Sequence, residues 1–328
     1  MNPKMWLTAL QVIPKITREE WDKLDIVSRW LIAVRAAVLI LTFLSAAVAG
    51  LLAARDGLFH WTEWLLLTVG LVMAHATNNL LNDLVDFQRG VDEDNYFRTQ
   101  YGPQTVQQGL LTKRQLLAYA AATGAVAVGC GSTLAVLRGW PILVLMGIGA
   151  VFVLFYTWPL KYIGLGELAV LFVWGPLMVG GGYFAVTGQW NSNVLLASLP
   201  CAFGATTVIF GKHIDKLKAD GAKGIHTLPV ILGERVSRIG VMVLVAFQYL
   251  LVGILVWMGY FSWVMLLVVF GLYFSLPVWR MFSHPRPASP PEEARPFWPM
   301  WFVASAFYHN RAYGILFLAG LVLQTVVR

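Results

Sequence analysis

Asn78, Asn82 and Asp86 recur every fourth residue at the end of an apolar stretch, within HATNNLLNDLVDFQRGVDED (75–94). On a helix this spacing sets the three side chains in one row, with Asp83 one residue round from Asn82. Amides and carboxylates at the end of a membrane-length apolar segment are costly unless something neutralises them. Oxygen ligands of this kind suit a hard divalent cation such as Mg²⁺, which commonly shares its coordination with substrate phosphates. For one cluster alone, a solvated helix end explains the acidity equally well. A second cluster lies in GKHIDKLKADGAKGIHTLPVILGE (211–234), where Asp215 and Asp220 stand among Lys212, Lys216, Lys218 and Lys223. Carboxylates hold Mg²⁺, Mg²⁺ bridges phosphate oxygens, and Lys or Arg neutralises what remains, so the pair of clusters fits a polyanion carried by metal. In an apolar chain such a polyanion suggests the head of a lipid diphosphate. Loss of the diphosphate leaves an allylic cation, which aromatic faces stabilise where water is kept out.

The elements that must position these clusters are membrane spans. Of 328 residues 58% are hydrophobic and 12% charged, and the mean hydropathy is +0.66. This is the composition of an all-α polytopic membrane protein, and the 14 Trp and 19 Phe fit interfacial belts and helix packing. Nine apolar runs of roughly spanning length can be read at about 28–54, 62–82, 115–138, 141–158, 166–187, 193–210, 237–257, 261–281 and 309–327. The expected organisation is a cytoplasmic interfacial segment over 1–27 and a single transmembrane domain over 28–328. KITREEWDKLDIVSRW (15–30) reads as the amphipathic lead into the first span, and no cleavable signal peptide is visible.

With the N-terminus inside, only Arg55, Arg138 and Arg328 of the 24 Lys and Arg face outside, which sets the orientation. Both acidic loops, 83–114 and 211–236, then emerge on the cytoplasmic side. The net charge of +7 is loop asymmetry at an anionic leaflet and calls for no nucleic acid. Cys130 and Cys201 fall inside apolar runs and read as small core residues. Without HxxxH or CxxC spacing, zinc is not expected.

The residues from about 78 to 234 resemble the UbiA superfamily of intramembrane prenyltransferases. Asn82-Asp83-Leu-Val-Asp86 looks like its first motif, NDxxD. Gly90 and Asp92 then follow as in its menaquinone branch, the 1,4-dihydroxy-2-naphthoate polyprenyltransferases. GPQTVQQGLLTKRQL (102–116), YTWPLKYIGLGELAVLFVWGPLMVGGGYFAVTG (156–188) and GAKGIHTLPVILG (221–233) are similar to further family segments. The resemblance implies nine helices around a cavity, with two Asp-rich motifs that bind Mg²⁺ and an isoprenyl diphosphate. It also implies transfer of the polyprenyl group to an aromatic acceptor in a bacterial-type inner membrane, with the active-site loops cytoplasmic.

On this basis Asn82, Asp83, Asp86, Asp92, Asp215 and Asp220 are expected metal ligands. Asn78, Arg98, Lys161, Lys212 and Lys216 are expected to contact substrate, and Tyr156 to face the reacting carbon. Positive-inside anchoring accounts equally for Arg98 and Lys161, and belt placement for Tyr156. Asn78 can bond a neighbouring helix instead. Arg35, inside the first run, is a buried-charge candidate for an acidic acceptor or a residue that snorkels to the interface.

The second motif departs from the family pattern. Asp215 precedes Asp220 by five residues instead of four, and Lys216 stands where the partner Asp is expected. On a regular helix i, i+5 side chains diverge by about 140°. Either the helix is kinked here, or Asp220 alone binds metal and Lys216 contacts the diphosphate. Rival readings are a membrane terpene cyclase on the same scaffold, a prenyltransferase for another acceptor such as 4-hydroxybenzoate, and a non-enzymatic lipid-binding protein that has lost the metal.

Overall fold

The computed structural model describes all residues except 92, 94–96, 98–101, 293–297 and 327–328, so Asp92 and Arg98 lie outside the described residues. The described residues are helical, with no strand among them. In chain order the helices are α1 (Pro3–Gln11), α2 (Arg18–Asp22), α3 (Ile26–Ala33), α4 (Ala36–Arg55), α5 (Trp61–Gln88), α6 (Lys113–Arg138) and α7 (Trp140–Phe155). There follow α8 (Gly166–Thr187), α9 (Ser192–Asp215), α10 (Leu217–Ala222), α11 (Leu228–Trp257), α12 (Trp263–Phe282) and α13 (Phe302–Val326).

Seven of these (α4, α5, α6, α8, α9, α11 and α12) are long and apolar enough to cross a membrane. Helix α7 is apolar but has only 16 residues, and α13 has 25 residues but carries His309, Asn310 and Arg311 in its first half. The nine expected spans thus resolve into seven helices that meet both criteria and two that miss one each. The first expected span is also not continuous. Helices α3 and α4 are separated at Arg35, whose φ of 55° is the one left-handed backbone among described non-glycine residues.

The chain forms two compact units, Met1–Phe43 with Thr68–Trp158, and Leu44–Leu67 with Pro159–Arg328. In the first, Ala9, Trp21 and Ile32 from the N-terminal helices pack with Ala76, Leu80 and Leu84 of α5 and Leu116 of α6. Local signals hold the N-terminal segment in place. Thr17 and Glu20 form a capping box at α2, and Asp25 caps α3 by accepting from the N–H groups of Val27 and Ser28 at 3.1 and 3.0 Å. The segment read as merely interfacial thus contributes its largest side chain, Trp21, to a core. Gly102 serves this unit too: at its φ of 136° a Cβ would lie 2.3 Å from Ile13 Cγ2, so only glycine fits.

In the second unit, Phe210 and Ile214 of α9 pack with Val241 and Val245 of α11, Val278 and Phe282 of α12, and Phe302 and Ala306 of α13. Helix α8 includes a stretch of wider, π-type winding over Val173–Gly180 that contains Pro176. There it approaches α9 closely enough that a Cβ on Gly175 would sit 2.7 Å from Ala202 Cβ, the small-residue packing expected between helices in lipid.

Candidate active site

The first acidic cluster closes on itself through the break at Arg35. Ending α3 there leaves the carbonyl of Val34 without a helical partner, and Asn79 Nδ2 donates to it at 2.9 Å. The left-handed turn directs the Arg35 guanidinium to Asp83, with which it forms a buried ion pair. Thr105 Oγ1 lies 3.5 Å from the other oxygen of Asp83. Arg35 therefore does not snorkel; within this unit its partner is the first motif.

Asn82, Asp83 and Asp86 are all buried. Asn82 Oδ1 and Gln104 Nε2 are buried without a hydrogen-bond partner among the described residues. An orphaned amide oxygen one helical turn from a buried carboxylate is the donor set a hard cation takes, and an orphaned N–H suits a phosphate oxygen. No three of His, Cys, Asp and Glu converge among the described residues, so a metal here needs phosphate or water oxygens to complete its shell. The first cluster fits Mg²⁺ on those terms.

Other polar residues of this unit are placed by the helices that carry them. Asn78 Nδ2 donates to the Val153 carbonyl at 2.9 Å, fastening α5 to α7. His75 Nδ1 meets Thr42 Oγ1 at 2.7 Å. Tyr156 is the half-buried C-cap of α7.

The second cluster is kinked. Helix α9 ends at Asp215, Lys216 leaves helical geometry (φ −99°, ψ 2°), and α10 starts at Leu217. On either side of the break the two carboxylates have different partners. Asp215 accepts from the backbone N–H groups of Phe302 (3.1 Å) and Val303 (3.0 Å), one on each oxygen, and so caps the first turn of α13. Arg286 faces the same carboxylate at 3.6 Å and donates to the Asp215 carbonyl at 3.2 Å. Asp220 forms a buried ion pair with Lys216, Nζ to Oδ1 3.0 Å. Lys212 is half-buried one turn before Lys216, and Lys161 lies in a 3₁₀ turn over Leu160–Ile163.

Sequence reasoning assigned no role to Glu167. Its side chain is fully buried; Oε1 lies 2.5 Å from His213 Nδ1, and Oε2 accepts from the Leu228 N–H at 3.3 Å. One carboxylate thus ties α8 to the end of α9 and caps α11. The signal was an acidic residue opening an apolar run, which needs a partner to be tolerated.

These features fit known proteins. The UbiA prenyltransferase family matches residues 43–305. The chain is 31% identical over 254 residues to the digeranylgeranylglyceryl phosphate synthase of Natronomonas pharaonis, covering 75% of this chain and 83% of that one. It is 29% identical over 222 residues to the 1,4-dihydroxy-2-naphthoate octaprenyltransferase of Escherichia coli, covering 64% and 70%. Its fold is similar to that of a UbiA homolog from Aeropyrum pernix K1 (TM-score 0.65, 19% identity, 86% of this chain and 97% of that one). It is also similar to a UbiA homolog from Archaeoglobus fulgidus bound to DMAPP and Mg²⁺ (TM-score 0.55, 19% identity, 88% and 99%). The chain belongs to the UbiA prenyltransferase family. It is an integral membrane protein and an enzyme that transfers prenyl groups.

Proposed function

We propose that this prenyltransferase carries out Mg²⁺-dependent transfer of a polyprenyl group from an isoprenyl diphosphate to a 1,4-dihydroxy-2-naphthoate-like aromatic acceptor. The observation that carries the metal and diphosphate part is the buried set of Asn82, Asp83 and Asp86 with its orphaned amide oxygen. The fold it shares with a homolog bound to DMAPP and Mg²⁺ supports the same reading. The acceptor is supported by the naphthoate octaprenyltransferase relative and by the motif spacing.

Asn82, Asp83 and Asp86 would hold Mg²⁺, which when bound neutralises charge developing on the departing diphosphate. Arg35 orients Asp83 and limits the net negative charge of the empty cluster. Gln104 Nε2 is a donor suited to a phosphate oxygen, and Lys161, Lys212 and Lys216 are assigned to substrate binding. The carbon–oxygen bond to the diphosphate breaks to give an allylic cation, the electron-rich ring attacks it, and the ring then loses a proton or, in the naphthoate case, CO₂. Tyr156 offers its ring face to the cation. Apolar helix faces exclude the water that would quench it. The enzyme is assigned to a bacterial-type inner membrane, acidic loops on the cytoplasmic side, as a single transmembrane domain over 28–328.

A second acceptor class has specific support. The 31% identical relative is named for a prenylated glyceryl phosphate product, so a prenylated glyceryl phosphate is the alternative acceptor. The test is an assay of purified protein in detergent with Mg²⁺ and radiolabelled geranylgeranyl diphosphate. Parallel tubes contain 1,4-dihydroxy-2-naphthoate, 4-hydroxybenzoate, geranylgeranylglyceryl phosphate or no acceptor, with Asp86→Ala as control. Prenylated naphthoquinol, lost in the variant and with EDTA, is the expected product. Labelled glyceryl phosphate or hydroxybenzoate alone moves the acceptor, and a hydrocarbon from the acceptor-free tube makes the enzyme a cyclase.

A further inference from the structure

Both acidic clusters resemble metal sites in sequence, yet their carboxylates are engaged differently. Each oxygen of Asp215 receives a main-chain N–H of α13, Arg286 closes on the same group, and its side chain is fully buried. Mg²⁺ prefers six ligands in strict octahedral array and keeps several waters. A carboxylate with both oxygens on main-chain donors and no solvent access does not fit that demand. Asp220 is left as the single acidic side chain of the cluster, and its partner is an ammonium 3.0 Å away on a side chain one turn earlier. The Lys216 ammonium makes no other hydrogen bond or ion pair among the described residues, and an ammonium carries three donors. The cluster is thus built as a buried lysine held in place by a carboxylate.

We propose that the second acidic cluster is a metal-free phosphate site, with Lys216 binding the isoprenyl diphosphate directly, Asp220 positioning it and Asp215 serving as the cap of α13. It rests on the prenyltransferase reading above. On this account the chain binds metal at its first cluster alone.

The experiment counts metal, not turnover. Mn²⁺ replaces Mg²⁺ on detergent-purified protein saturated with geranylgeranyl S-thiolodiphosphate, a slowly reacting diphosphate analogue. Bound Mn²⁺ per chain is measured by equilibrium dialysis and its spectrum by electron paramagnetic resonance. The expected result is a mononuclear count tied to the first cluster: Asp86→Asn abolishes it, while Asp215→Asn and Asp220→Asn retain it. Lys216→Gln keeps the metal and weakens analogue binding by about 10- to 100-fold, the range for one hydrogen bond to a charged group. Lys216→Asp, which restores two carboxylates four residues apart, gains a second ion. A spin-coupled pair in the unmodified chain, reduced to one ion by Asp215→Asn or Asp220→Asn, overturns the inference. If Asp215→Asn fails to fold, the Asp220 and Lys216 variants decide it alone. Absence of any analogue-dependent Mn²⁺ sinks the metal-dependent reading of the enzyme itself, and this inference with it.

Discussion

Arg35 combines two opposing energies, so its replacement by alanine and by glycine separates them. The side chain is paired with Asp83, and the two are about one-tenth and one-thirtieth exposed (10% and 3%). Removing one partner of a buried pair strands the other charge, at about 3–5 kcal/mol. The backbone at Arg35 sits at φ 55°, where a residue with a Cβ is strained by about 1–2 kcal/mol relative to glycine. Arg35→Ala loses the pair and keeps the strain, so it is expected to cost about 3–5 kcal/mol. Arg35→Gly loses the pair and sheds the strain, so the glycine variant is expected to be the more stable of the two by about 1 kcal/mol. Inside a helix the order is the reverse, because glycine costs about 0.5–1 kcal/mol more than alanine. A double-mutant cycle with Asp83→Asn should give a coupling of about 2–3 kcal/mol, since the double variant strands no charge. The assay is reversible unfolding in mixed detergent and SDS, followed by tryptophan fluorescence and run without metal. Alanine at least as stable as glycine would refute the helix break, and coupling below about 0.5 kcal/mol would refute the buried pair.

Three further expectations follow from single contacts. Glu167→Ala leaves His213 and the Leu228 N–H without an acceptor and is expected to cost about 3 kcal/mol; Glu167→Gln retains one acceptor oxygen and should cost about 1 kcal/mol in the same unfolding assay. Gly211→Ala would place a Cβ 2.9 Å from the Val303 N and Cα; parting α9 from α13 there should cost about 1–3 kcal/mol and speed proteolysis near residue 302. Partial burial alone would raise the Asp25 carboxyl, but hydrogen bonds from the Ser28 N–H, Trp6 Nε1, the Ser28 hydroxyl and the Asn2 N–H outweigh it and hold the group well below the usual carboxylate range. A carboxyl depressed in the folded state stabilises at pH above its unfolded value of about 3.9 and loses that contribution as pH falls through the folded value. Trp6 fluorescence should therefore report release of the N-terminal helix only on strong acidification, and at neutral pH in Asp25→Asn.

The fold class was legible because a chain this apolar has few alternatives, and spans such as 115–138 and 166–187 match α6 and α8 to within two residues. The break at Arg35 was not. Hydropathy averages over it, and a left-handed arginine is paid for by a partner 48 residues away that no local pattern reveals. The first cluster was visible because its residues share one helix face, so i, i+4 spacing carries the geometry. The partners of Asp215 could not be read for the opposite reason: Phe302 and Val303 are distant in sequence and bond through main-chain N–H groups, which leave no mark on residue identity. The odd five-residue step to Asp220 was the one available sign, and the structure gives it a cause in the kink at Lys216.

Acidic residues within this chain's helices therefore cannot be counted as metal ligands by proximity to a motif. In a low-dielectric setting every buried carboxylate needs a partner, and the kind of partner separates the roles. Asp215 and Glu167 accept from main-chain N–H groups that open helices. A ligand could recruit either only by uncapping a helix, at a cost of about 1 kcal/mol or more for each lost cap. Asp83 and Asp220 instead face the side-chain cations of Arg35 and Lys216, groups that a phosphate can engage without dismantling backbone structure. The two kinds of carboxylate should accordingly respond in opposite ways to added diphosphate analogue. Losses of stability from Arg35→Ala or Lys216→Gln should change with analogue concentration, whereas those from Asp215→Asn and Glu167→Ala should not. An analogue-sensitive defect in Glu167→Ala would show that this carboxylate also serves the site, and the distinction drawn from partners would fail.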